Sequence, residues 1–102
     1  MDTGVLLLHG LFEHKGRHQI NADWFKNLNI SPYLIDLPGH GENSTTKGHI
    51  DSWKENNEAL KKGFENLENY SKKIIFGHSY GALIATYGVI NKIVEPDFLI
   101  LS

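Results

Sequence analysis

The sequence predicts an α/β protein: a four-stranded parallel sheet with helices on both faces. Two observations carry this. Four short apolar runs, at 5–8, 33–35, 74–76 and 98–101, alternate with three segments of helical periodicity, the pattern of right-handed βαβ crossovers. One junction, Gly77-His78-Ser79-Tyr80-Gly81, also places G-x-S-x-G between a predicted strand and a predicted helix.

Val5-Leu6-Leu7-Leu8 is a continuous apolar run ended by His9-Gly10, as expected of a strand buried on both faces. Residues 10–18 read as loop. Gln19 to Asn29 carries Ile20, Trp24 and Leu28 at four-residue spacing with Phe25 beside them, which predicts an amphipathic helix resting on that stripe. Ser31-Pro32 punctuates the chain, and Tyr33-Leu34-Ile35 is a second strand ending at Asp36. The Gly- and Pro-rich Leu37-Pro38-Gly39-His40-Gly41 excludes regular structure.

From His49 to Tyr70, Ile50, Trp53, Leu60, Phe64 and Leu67 recur at three- and four-residue steps, with Asn57 as the polar interruption of a long surface helix. Its outer face offers Lys54/Glu58, Glu58/Lys62 and Lys61/Glu65 as i,i+4 pairs, a solvated face rather than a binding patch. The strand Lys73 to Phe76 follows. The helix from Tyr80 to about Lys92 is almost wholly apolar, which predicts close packing against the sheet. Glu95-Pro96-Asp97 ends it, and Phe98-Leu99-Ile100-Leu101 forms the fourth strand.

The 102 residues, 40% hydrophobic and 22% charged, suit one small domain spanning 1–102. A net charge of −2 with interleaved acids and bases gives no footprint for nucleic acid. With no cysteine there are no disulfides or thiolate sites, which favours a cytoplasmic protein, and the run 5–8 is too short for a signal-peptide core or a membrane span. Six histidines offer no convincing metal-ligand spacing; His14 and His18 are separated by a loop containing Gly16. Neither metal nor cofactor is expected.

The chemistry centres on Ser79. A strand-to-helix reversal this tight strains the central residue and leaves no room for a Cβ on the glycines two before and two after it. The serine is lifted clear of the sheet at a helix N-terminus, where free N–H groups and the helix dipole favour developing negative charge. Acyl transfer places its nucleophile in such a setting.

Three blocks, His9-Gly10-Leu11-Phe12-Glu13-His14-Lys15-Gly16-Arg17, Ile35-Asp36-Leu37-Pro38-Gly39-His40-Gly41 with Ser44, and the pentapeptide around Ser79, together resemble the α/β-hydrolase superfamily. The first block is most similar to the monoacylglycerol lipase and lysophospholipase group, which is serine aminopeptidase S33-like. The resemblance implies Ser79 as nucleophile and the backbone N–H groups of Leu11 and Tyr80 as oxyanion-hole donors. It places His9, Gly10, Phe12 and His78 around the substrate, a small ester or lipid-like molecule. His9 and Asp36 match structural positions, His40 and Ser44 match residues that hold their loop together, and Glu13, His14 and Arg17 are either pocket rim or loop bracing.

The family's order of nucleophile, then acid, then histidine is not met after Ser79 in these residues. The resemblance therefore implies a partial domain, without the strands before residue 4, the cap and the C-terminal catalytic half. Little or no esterase activity is expected of it, and its raw sheet edges favour self-association. A non-catalytic remnant or interaction module, or a peptidase or acyltransferase on the same fold, stay open as alternatives.

Overall fold

The computed structural model describes residues 2–9, 19–35, 37 and 53–102. Among these residues four strands and three α-helices follow one another: β1 (Thr3–Leu8), α1 (Gln19–Asn27), β2 (Ser31–Leu34), α2 (Trp53–Phe64), β3 (Lys72–Gly77), α3 (Tyr80–Ile90) and β4 (Phe98–Leu101). A 3₁₀ turn, Glu65–Leu67, extends α2. All strand pairs are parallel in the order β2-β1-β3-β4, so the expected fold class stands.

β1 is the central strand, and its alternating side chains feed two cores. Leu6 and Leu8 join Leu60 and Leu67 with Ile75, Ile84 and Ala85, under α2 and α3. Val5 and Leu7 face the other way, onto Phe25 of α1 and Ile74. Helices thus cover both faces, and the continuous apolar run of β1 is explained by burial on each.

From β1 the chain crosses to β2 on one side, then returns past β1 to β3 and continues to β4 on the other. For right-handed crossovers this reversal sends α1 to one face and α2 and α3 to the opposite one. It also creates a switch point between β1 and β3. Leu8 is paired with Gly77 there, at the C-terminal ends of both strands. In open α/β sheets ligands bind in the crevice at such a point.

Several sequence-based expectations are corrected. In α1 the buried residues are Ala22 and Phe25, three apart, while Trp24 and Leu28 are more than half exposed. Phe25 packs with Val5 and Leu7 of β1, so the helix rests on the residue beside Trp24 rather than on Trp24 and Leu28. Pro32 lies inside β2, opposite Val5; an edge strand tolerates the missing N–H. α2 ends at Phe64, and residues 49–52 of the expected helix lie outside the described residues. Its core stripe runs Asn56, Leu60, Gly63 and Leu67, so Asn56, not Asn57, is the fully buried polar residue. Of the three expected i,i+4 pairs, only Lys54–Glu58 closes, at 3.9 Å.

α3 turns Gly81, Ile84, Ala85 and Gly88 inward but leaves Leu83, Tyr87 and Ile90 exposed, the last at 72%. Its apolar composition is therefore not accounted for by packing among the described residues. No helix among them is long and apolar enough to cross a membrane.

Candidate active site

β3 ends at Gly77 and α3 begins at Tyr80, so two residues make the reversal. Ser79 has φ 55° and ψ −115°, a conformation uncommon for a residue with a Cβ. The flanking glycines make it possible. A Cβ on Gly77 would stand 2.7 Å from Ala82 Cα, and one on Gly81 would stand 2.5 Å from the carbonyl oxygens of both His9 and Leu8. The helix start is thus pressed onto the backbone of β1, and no side chain fits between.

Backbone hydrogen bonds brace the corner. The His78 N–H donates to Leu8 O at 3.1 Å, and the Gly81 N–H donates to His78 O at 2.9 Å. Ser102, just after β4, brackets the turn from the other side: its N–H donates to Gly77 O at 2.9 Å, and its carbonyl accepts from the Ser79 N–H at 3.1 Å. Ser79 occupies the N-cap of α3, yet its hydroxyl makes no capping bond. A serine there ordinarily turns its oxygen back to the N2 or N3 amide. Here the side chain is exposed, with the helix N-terminus behind it.

His9, at the end of β1, is completely buried, and its Nε2 accepts a hydrogen bond from the Leu37 N–H at 2.9 Å. A backbone amide can only donate, so this nitrogen carries no proton and the ring acts as a clasp between β1 and the chain after β2. His78 is half-buried, with Nδ1 3.3 Å from the Ser102 hydroxyl. Tyr80, first residue of α3, is half-buried between the two helices. Its hydroxyl accepts from Asn56 Nδ2 at 2.8 Å, and Trp53 packs edge-on against its ring at 6.0 Å.

Ser79, Tyr80, His78 and His9 are therefore gathered at the switch point. Gly10, Leu11, Phe12, Glu13, His14, Arg17, Asp36, His40 and Ser44 lie outside the described residues. Two participants escaped the sequence reading. Asn56 could have been found from the alternating four- and three-residue spacing to Leu60, Gly63 and Leu67. Ser102 had no local signal, because its role depends on the pairing of β4 with β3. No group of three or more metal-ligating side chains occurs among the described residues.

Comparison with known proteins agrees with this fold. An abhydrolase domain-containing protein of Dictyostelium discoideum is 30% identical over 83 residues, covering 81% of this chain and 9% of that protein. Phospholipase YtpA of Bacillus subtilis is 26% identical over 82 residues, 79% of this chain and 32% of the enzyme. The crystal structure of Paleococcus ferrophilus monoacylglycerol lipase superimposes with a TM-score of 0.84 at 29% identity, over 97% of this chain and 37% of that one. The chain thus spans about a third or less of the length of each. The serine aminopeptidase S33 family matches over residues 1–102, and with a parallel sheet turning into a helix at a glycine-flanked serine, the chain belongs to that family of α/β-hydrolases.

Proposed function

We propose that this chain carries the nucleophile-bearing part of a serine hydrolase acting on carboxylic esters. In this reading Ser79 Oγ attacks the ester carbonyl carbon, and the backbone N–H groups of Tyr80 and Leu11 hold the resulting oxyanion. The alcohol then leaves as the carbonyl re-forms, giving an acyl-serine that water hydrolyses. Gly10, Phe12 and His78 would border the substrate, while His9, fully buried and bonded to Leu37, braces the end of β1 beneath it. The names of the lipase and phospholipase relatives favour a lipid-like ester such as a monoacylglycerol or lysophospholipid.

The supporting observation is the backbone of Ser79: a positive φ held by two glycines without room for a Cβ, beside a hydroxyl that does not cap its helix. Strain of this kind costs about 1–3 kcal/mol and persists where the surroundings impose it. The attacking hydroxyl must also lose a proton. In the family's order the acid and the histidine base follow the nucleophile, and within residues 80–102 there is no histidine. These 102 residues alone are therefore expected to react slowly and to turn over little or no ester.

Fluorophosphonate treatment followed by peptide mass mapping tests the nucleophile. A slow, stoichiometric adduct on Ser79, absent in Ser79→Ala, is the expected result; no adduct after prolonged exposure overturns the assignment. Turnover of p-nitrophenyl acetate by the 102-residue chain, lost in Ser79→Ala, would overturn the inactivity. The family's description favours a second reading, an aminopeptidase. Comparison of aminoacyl p-nitroanilides with esters, in a longer protein containing this chain, separates the two.

A further inference from the structure

Asn56 lies in the core-facing stripe of α2, where its neighbours are Leu60, Gly63 and Leu67. Its side chain is completely buried. Nδ2 donates to the Tyr80 hydroxyl at 2.8 Å, while Oδ1 is buried without a partner. An orphaned buried acceptor destabilises the fold, a cost that a leucine in that position would avoid. The one thing the amide accomplishes in exchange is its hold on Tyr80.

Tyr80 follows Ser79 directly, so its own N–H belongs to the peptide that joins them. Trp53 and Asn56 both hold its ring. Trp53, one turn before Asn56 on α2, meets it edge-on at 86° and also contacts Tyr87 two turns along α3. Asn56 fixes the far end of the ring through the hydroxyl. With the ring held at its edge and its tip, the Tyr80 α-carbon has little freedom to rock, and the preceding peptide plane is held with it.

We propose that Asn56 is a positioning residue: from α2, through the Tyr80 side chain, it sets the orientation of the Ser79–Tyr80 peptide and so aims the Tyr80 N–H. This rests on the reading of Ser79 as nucleophile and of that N–H as oxyanion donor. Fixed donors stabilise an oxyanion because they do not reorganise during reaction, and losing one outright costs ~10²–10³ in rate. A donor that is present but less well aimed costs part of that factor.

The test uses Asn56→Leu, Tyr80→Phe and the double variant of the 102-residue chain. Each single variant is expected to shift the Ser79 and Tyr80 amide resonances and to slow fluorophosphonate labelling of Ser79 by ~10-fold. The double variant should add nothing beyond Tyr80→Phe, since that change already removes the bond Asn56 makes. The thermal midpoint of Asn56→Leu should equal or exceed that of the parent, the opposite of what a merely structural asparagine would give. Unmoved amide resonances, or additive effects, overturn the proposal. If Asn56→Leu does not fold, Tyr80→Phe, which removes one oxygen, decides by the same amide signals. A parent chain that is never labelled at Ser79 defeats the nucleophile reading alone, because the resonances still report whether Asn56 orients the peptide.

Discussion

A Cβ on Gly81 would stand 2.5 Å from the carbonyl oxygen of His9, so the first turn of α3 rests on the last peptides of the central strand with only hydrogen between them. The contact is backbone to backbone and has no side chain that could swing aside. Gly81→Ala is therefore expected to destabilise the fold by about 2 kcal/mol or more, overpacking outweighing the ~1 kcal/mol that alanine gains in a helix. Gly63→Ala is the control. Its new methyl meets the flexible end of Ile35 at 2.9 Å, so that variant should stay within about 1 kcal/mol of the parent in urea denaturation.

The backbone of Ser79 makes a second prediction that separates geometry from chemistry. At φ 55° a glycine is relaxed and an alanine is as strained as the serine. Ser79→Gly should be more stable than Ser79→Ala by about 1 kcal/mol in paired urea melts, although both lack the hydroxyl. Equal midpoints would mean that the corner stores no strain.

His9 should behave as a clasp. His9→Ala strands the buried Leu37 N–H and opens a cavity at the end of β1, for an expected loss of about 3 kcal/mol. His9→Gln, whose amide oxygen can accept the same bond, should recover part of it. Chemical denaturation of the three proteins checks the order.

Tyr33 and Tyr70 share a hydrogen bond of 2.8 Å, with their rings edge to face. The Ser31 hydroxyl, and then Tyr33, lower the Tyr70 pKa below the usual tyrosine value, whereas the hydrogen bond to Tyr70 raises that of Tyr33. Tyr70 should lose its proton first in a ¹³C-tyrosine NMR titration, and Tyr33→Phe should move Tyr70 back upward. The stability contribution of Tyr70 is present above the unfolded value of about 10 and is lost as pH falls through its lowered folded value. That of Tyr33 is present below about 10 and is lost as pH rises through its raised value. Stability from this pair should therefore climb approaching pH 10 and decline beyond it; a reversed order of ionisation would contradict the assignment.

The residues that were legible in the sequence are those whose constraint is local. Gly77 and Gly81 announce a turn that excludes side chains, and Val5 to Leu8 announce a strand covered on both faces, because steric fit and burial act on the residue itself. The phase of α1 was not legible. Ile20, Trp24 and Leu28 make a regular stripe in the sequence, but Trp24 and Leu28 are exposed, and it is Phe25, beside that stripe, that packs with Val5 and Leu7. Asn56 was missed for a related reason, since a polar residue on a core stripe makes sense only once Tyr80 is known to stand opposite. The bracing by Ser102 depends on the register of β4 against β3, which no spacing within either strand encodes.

Because β1 lies between β2 and β3, its position has a consequence for how the molecule comes into being. Thr3 is paired with Lys72, a closure over ~70 residues that costs chain entropy before it returns any contact. On the ribosome, the first strand can find β2 early but stays bare along its other edge until β3 has emerged. The innermost seam of the sheet is thus the one that must zip late, and refolding should be slow for a chain of this size, in the manner of folds dominated by distant pairings.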